Sequence, residues 1–268
     1  LASELGFIFL QESVVEVDAF AQKLIISSET QLTYSQLVIS TGVKTDFSCI
    51  EDLKEYAYGF SNLNDLLRIK KLITKVNNSS VEINPLVISG AGPTGVELAC
   101  KISDLVHNRL EIYLVDKGDK ILSKSKSFNR EKSIAAISNR NIKIYLKHYI
   151  KSVNKTDVEL ASVDNEINHS LKINYSNLVW TAGLKPSRLK LVDHLLDQNK
   201  KIKVNKFLQV NEYQNIFFVG DITSSEDHPF PSSAQVAMQQ GFLTAQNIIS
   251  LRKGNKLKSF QFEDLGEM

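Results

Sequence analysis

Short unbroken apolar runs alternate with helically spaced ones through the middle of this chain. Leu86–Gly90, Glu111–Val115 and Ile142–Leu146 read as strands buried on both faces, and helices are predicted over 93–106 and 127–139 between them. Strand–helix alternation of this kind implies an α/β fold with a parallel sheet. Upstream, Leu63, Leu66, Leu67, Ile69, Leu72, Ile73 and Val76 recur at helical spacing across Asn62–Val76, with Asn62 or Asn64 as the cap. Residues 7–42 divide into short β-like stretches: Ser13–Asp18, Lys23–Ser27, Gln31–Thr33 and the buried run Leu37–Thr41, closed by Gly42. Beyond 146 the pattern turns polar and β-rich from Lys151 to Tyr175, then apolar at Leu178–Thr181. After a basic loop around Lys200–Lys206, the apolar run Asn215–Val219 leads into Gly220–Asp221. The last long helix is predicted over Ser232–Leu251, capped by Ser232 or Ser233 directly after Pro231. Leu37–Val38–Ile39–Ser40–Thr41–Gly42 is echoed by Leu178–Val179–Trp180–Thr181–Ala182–Gly183, which suggests two related units, each with a strand leaving its sheet through a glycine turn.

The 268 residues are 43% hydrophobic, enough for a large core and more than one packing unit. A net charge of +2 gives no electrostatic case for nucleic acid. Cys49 and Cys100 stand alone, without metal-ligand spacing, which fits a reducing compartment and argues against structural zinc. No apolar run approaches the ~20 residues that span a bilayer, and no signal peptide is visible. The opening Leu1–Ala2–Ser3 is read as the start of a shortened chain. His107, His148, His169, His194 and His228 lack ligand spacing and a nucleophile partner, so no catalysis and no metal is assigned to them.

The strongest chemical signal is Gly90–Ala91–Gly92–Pro93–Thr94–Gly95, a G-x-G-x-x-G that ends one strand and opens a helix. Gly90 allows the tight turn, Gly92 the approach of backbone N–H groups to phosphate, and Gly95 the close packing of helix on strand. The helix N-terminus then favours an anion. Asp116, about twenty residues beyond Gly95, ends the second strand where an acid that binds ribose hydroxyls is expected. Its charge would repel a 2′-phosphate and so favour NADH over NADPH, a preference that Lys117 and Lys120 would soften. Glu97 is placed in the first turn of the same helix, where an acid complements the dipole. A glycine-rich turn without a ligand is the competing reading.

These residues carry a resemblance. G-A-G-P-T-G-V-E at 90–97, L-V-D-K-G-D-K-I-L at 114–122, W-T-A-G-L-K-P-S at 180–187, F-V-G-D at 218–221 and P-F-P-S-S-A-Q-V-A-M-Q-Q-G at 229–241 resemble the FAD-dependent pyridine nucleotide–disulfide oxidoreductase superfamily. The last run resembles its type II NADH dehydrogenase branch, the NAD(P)H:quinone oxidoreductases. The resemblance implies two Rossmann-like three-layer nucleotide-binding units, the FAD unit incomplete. Residues 1–57 correspond to the later part of a FAD-binding domain, 58–182 to an NAD(H)-binding domain, and 183–268 to a return to the FAD domain. A first FAD-binding βαβ unit and a C-terminal membrane-contacting region are expected to lie outside this sequence.

By resemblance, FAD and NAD are the cofactors, and hydride passes from NADH to flavin and electrons on to a quinone. Gly90, Gly92, Pro93, Thr94, Gly95 and Asp116 would bind NADH. Gly183, Gly220, Asp221, Ala234 and Gln235 would meet FAD, with Asp221 on the ribityl chain and the amides of the helix starting near Ser233 at the pyrimidine edge. Glu97 would stand near the nicotinamide–flavin junction. Gln235 and Gln239, four apart on one helix face, would line the quinone site. The whole protein is expected to be cytoplasmic and peripheral to a membrane surface, with a homodimer left open. Arg252, Lys253, Lys256 and Lys258 read as a solvated helix end, or as contacts to anionic headgroups. A disulfide-type or other flavin reductase of the same superfamily remains an alternative, as does, for this stretch in isolation, a non-catalytic NAD-binding module without activity of its own.

Overall fold

The computed structural model describes residues 2–164, 170–187, 201–225 and 230–266. A helical turn α1 (Ala2–Leu5) precedes an antiparallel meander, β1 (Val14–Asp18), β2 (Lys23–Ile26) and β3 (Gln31–Thr33), and then β4 (Leu37–Ile39) and β5 (Val43–Thr45). Next come α2 (Leu53–Tyr56), β6 (Ala57–Tyr58), α3 (Leu63–Asn78), β7 (Leu86–Ser89), α4 (Pro93–Leu105), β8 (Ile112–Val115), α5 (Ser127–Ser138) and β9 (Ile142–Tyr145). Strands β10 (His148–Val153), β11 (Asp157–Ser162), β12 (Leu171–Asn174), β13 (Asn177–Trp180) and β14 (Leu184–Pro186) follow. The remainder holds β15 (Ile202–Lys203), β16 (Gln209–Val210), β17 (Tyr213–Phe218), β18 (Thr223–Ser224) and the long α6 (Ala234–Arg252).

The chain divides into two compact units, residues 45–184 and residues 1–44 with 185–268. In the first, β6-β13-β7-β8-β9 form a parallel sheet. Its strands are apolar at successive positions because both faces are covered. Leu86, Ile88, Ile112, Leu114 and Val179 face a cluster completed by α3, α4 and Ile137 of α5. Val87, Val115, Leu178 and Trp180 face the opposite cluster, with Ile150, Val158, Leu160 and Ile173 from the antiparallel β10-β11-β12 sheet. The three layers are therefore helices, parallel sheet and antiparallel sheet. Asn62 caps α3, its side chain accepting from the Asp65 N–H at 3.0 Å, which decides between the two expected caps. This unit begins at Thr45, ahead of the expected 58. Leu53 and Ala57 are buried among Val87, Val115, Leu178 and Trp180, with Phe47 and Ile50 packed beside them, and β6 pairs with β13.

In the second unit, β4 lies parallel to β17 and β16 antiparallel to it. Ile39, Ile216, Phe218, Val219 and Ile222 form its core with Val204, Leu208, Val210, Val236 and Phe260. β4 and β13, the two echoed strands, lie in different sheets, and Gly42 (φ 61°) and Gly183 (φ 152°) follow them with positive φ.

Candidate functional site

The glycine loop is built by β7, β8 and β13. Gly90 ends β7 at φ 107°, its N–H held by the Val115 carbonyl at 2.7 Å. A side chain there would meet Thr181 Oγ1 at 2.7 Å, the same hydroxyl that donates to the Ser89 carbonyl at 2.8 Å. Thr181 thus clamps the strand end against the turn, a role the sequence motif contained but its spacing did not single out. At Gly95 a Cβ would lie 1.8 Å from the Gly90 carbonyl oxygen, so α4 reaches this close to its strand only with glycine. Gly92 differs from both. Its φ of −75° suits any residue, and a Cβ there would meet nothing within 4 Å.

Gly92, Pro93 and Thr94 form an exposed crest. The first intrahelical bond runs from the Val96 N–H to the Gly92 carbonyl at 3.0 Å, so the Thr94 and Gly95 N–H groups have no acceptor within the helix. Asp116 stands beside this crest, its two carboxylate oxygens accepting from the N–H groups of Ala91 at 2.6 Å and Gly118 at 2.7 Å. The acid therefore ties the loop to the end of β8, and a carboxylate has lone pairs left for further donors. Its neighbour Lys117 lies over the Tyr149 ring, 5.1 Å from the centroid. Glu97 is exposed, and because α4 starts at Pro93 it is the fifth helical residue. The expected first-turn position is thus corrected, and with it goes most of the dipole rationale, which fades beyond that turn.

In the other unit, the Gly220–Asp221–Ile222 turn leaves β17 with Gly220 at φ 79°. The Gly220 N–H is taken by the side chain of Gln240 at 2.6 Å, and Thr223 Oγ1 donates to the Gly220 carbonyl at 2.7 Å. Gln240 is fully buried on α6. It was missed from the sequence because a glutamine beside Gln239 gives no hydropathy signal for a core position. Asp221 is half-buried on this turn. Ser233 caps α6, accepting from the Val236 N–H at 3.3 Å, and the Ala237 N–H reaches the Ser233 carbonyl. The Ala234 and Gln235 N–H groups are left without helical acceptors. Gln235 and Gln239 do share a face, but both carboxamides are engaged by the segment before the C-terminus, Gln239 with Glu263 and Gln235 with Leu265 and Gly266.

The structure thus groups Gly90, Gly92, Pro93, Thr94, Gly95 and Asp116 at one loop, and Gly220 and Asp221 against α6. Gly183 follows Trp180 in the first unit, its carbonyl accepting from the Asp46 N–H at 3.0 Å. Among the described residues no group of acids, histidines and cysteines could hold a metal. His169, His194 and His228, with Pro229, Lys200 and residues 188–199, lie outside the described residues.

A family model described as pyridine nucleotide-disulphide oxidoreductase matches residues 3–241. The chain belongs to that family. Demethylphylloquinone reductase NdbB of Synechocystis is 31% identical over all of this chain and 67% of its own length. A type II NADH:quinone oxidoreductase of Staphylococcus aureus is 25% identical over 96% of this chain and 68% of its own length. The chain therefore spans about two thirds of the length of these relatives. The fold is shared with NDH2 from Plasmodium falciparum, solved in complex with NADH, at a TM-score of 0.83, 18% identity, and coverage of 96% of this chain and 73% of that one.

Proposed function

We propose that this family member serves an FAD-dependent NADH:quinone oxidoreductase. NADH would lie on the Gly90–Gly95 loop beside Asp116, and Gly220, Asp221 and the first amides of α6 would hold FAD. The activities of the demethylphylloquinone reductase and the type II NADH:quinone oxidoreductase support a quinone as acceptor. FAD, when bound, accepts hydride from NADH and returns electrons to the acceptor; the protein supplies placement and electrostatics. The Thr94 and Gly95 N–H groups and the α4 N-terminus bind pyrophosphate. Asp116 accepts from the adenosine ribose hydroxyls and disfavours a 2′-phosphate. Lys117, drawn onto Tyr149, softens that preference less than a free ammonium would. The Ala234 and Gln235 N–H groups would stabilise negative charge on the flavin, and Glu97 would serve the nicotinamide end. Gln235 and Gln239 belong to the quinone end. The described helices include none long and apolar enough to cross a membrane, and we place the whole protein on the cytoplasmic face of a membrane, in peripheral contact.

Gly92 carries the NADH half of this reading. Neither its backbone nor its packing requires glycine, and the remaining use for a missing Cβ on an exposed crest is close approach of a ligand. Gly92→Ala is therefore expected to leave the melting temperature unchanged while weakening NADH by about tenfold or more in calorimetric titration, one charge-assisted hydrogen bond being worth ~1.5–3 kcal/mol. Unchanged NADH affinity in this variant would remove the loop from the site. NADPH binding as tightly as NADH to the unmodified protein would remove the role given to Asp116.

A further inference from the structure

Helix α6 buries polar side chains where a helix on a core normally buries aliphatic ones. Val236, Gln240, Thr244 and Asn247 are its buried residues, while Met238, Phe242 and Ile249 are exposed. Three of its amide side chains each donate to and accept from the backbone of one segment, two of them at a single residue and the third across two. Asn247 Nδ2 donates to the Lys258 carbonyl at 3.0 Å, and its Oδ1 accepts from the Lys258 N–H at 2.9 Å. Gln239 Nε2 donates to the Glu263 carbonyl at 2.8 Å, and its Oε1 accepts from the Glu263 N–H at 3.0 Å. Gln235 Nε2 donates to the Gly266 carbonyl at 2.6 Å, and its Oε1 accepts from the Leu265 N–H at 3.1 Å. Between these points Phe260 is buried against Phe230, with ring centroids 5.6 Å apart, and its N–H reaches the Lys206 carbonyl at 2.7 Å.

We infer that residues 258–266 are a strap zipped along α6 by a ladder of side-chain amides, with Asn247, Gln239 and Gln235 as its positioning residues. A helix spends its backbone on itself and cannot pair with a strand. A carboxamide presents a donor and an acceptor side by side, as a peptide unit does, and so stands in for a β ladder. The register agrees. Rungs at 247, 239 and 235 descend the helix by ~12 Å and then ~6 Å at 1.5 Å per residue. Strap positions 258, 263 and 265 reach at most ~16 Å and then ~7 Å at 3.3 Å per residue, long enough to meet each rung in turn. Each carboxamide keeps one N–H and one lone-pair site beyond the strap bonds. An acceptor arriving at this face, on the reading proposed above, therefore meets helix and strap together rather than a bare helix, and the two glutamines act on it chiefly by holding the strap.

Hydrogen exchange on the full chain reads the rungs directly. In the unmodified protein the Lys258, Glu263 and Leu265 amides exchange at least tenfold more slowly than unstructured ones. Gln239→Leu speeds Glu263 by tenfold or more and leaves the helix amides protected. Asn247→Leu does the same at Lys258. Unprotected Glu263 and Leu265 amides in the unmodified protein, or rates unchanged by Gln239→Leu, would overturn the strap even if the buried Asn247 variant fails to fold. Steady-state assay with a soluble short-chain quinone gives the second readout. Gln239→Leu and the remote Asn247→Leu both raise the quinone KM several-fold with kcat nearly kept. A KM change in Gln239→Leu with exchange intact would return that residue to direct contact and overturn its positioning role. Absence of any quinone reduction would count against the proposed activity, while the exchange rates still decide the strap.

Discussion

Helices α4 and α6 each stand beside a strand that ends in a glycine turn, and they solve opposite packing problems. α4 buries Val96, Leu98, Ala99 and Ile102 against β7 and β8, whose backbones are already paired within the sheet. An aliphatic stripe suffices there, and close approach is limited only by the Gly90–Gly95 contact. α6 packs against the irregular Gly220 turn and an extended segment, whose backbone groups lack sheet partners. Backbone groups without sheet partners still need partners, and Gln240, Asn247 and the half-buried Gln235 and Gln239 supply them. A helix that faces paired backbone can be greasy; one that faces unpaired backbone must carry amides.

The largest break in this comparison is expected at Gly95. Gly95→Ala forces a Cβ into the Gly90 carbonyl, which no rotamer change relieves, and should cost about 3 kcal/mol or more in urea unfolding, with NADH binding lost. A stability within ~0.5 kcal/mol of the unmodified protein would mean that α4 stands farther from its strand than described. On the α6 side, Gln240→Leu keeps the volume but leaves the half-buried Gly220 N–H without its acceptor, an expected loss of about 1–3 kcal/mol. Faster hydrogen exchange at Gly220 should accompany it, and protection retained there would show that another group holds the turn.

The smallest effect sharpens the contrast. Asp104 of α4 is held below the usual carboxylate range by hydrogen bonds from Arg140, at 2.8 and 3.0 Å. Because the folded form binds its proton more weakly than the unfolded chain, this contribution is complete above the ordinary carboxylate value of 3.8 and fades as pH falls through the lowered one. The melting temperatures of the unmodified protein and Asp104→Asn should differ slightly near neutral pH and converge in acid or high salt. The neutral amide rungs of α6 should show no such pH or salt dependence, and a ladder that weakens with salt would contradict their description as uncharged bonds.

Hydrophobic spacing alone determined the strand–helix alternation from Leu86 to Tyr145 and the parallel sheet, while the capping residues in the sequence narrowed the two helix starts to Asn62 or Asn64 and to Ser232 or Ser233. Aliphatic burial leaves a periodic trace in sequence, and glycine leaves one wherever a turn or a close approach demands it, as at Gly90 and Gly95. Asp116 was legible at its spacing, but its grip on the Ala91 and Gly118 amides was not, since a carboxylate reads the same whether it faces ribose or backbone. Only the tertiary structure moved the unit boundary to Thr45, where Leu53 and Ala57 join the sheet core, and placed Glu97 beyond the first turn. It alone brought Gln240 beneath Gly220 and matched Asn247, Gln239 and Gln235 to Lys258, Glu263 and Leu265. Amides carry no hydropathy signature of burial, and their partners lie 11 to 31 residues away in the chain. What such a side chain does is settled by which backbone groups the folded chain leaves unpaired beside it.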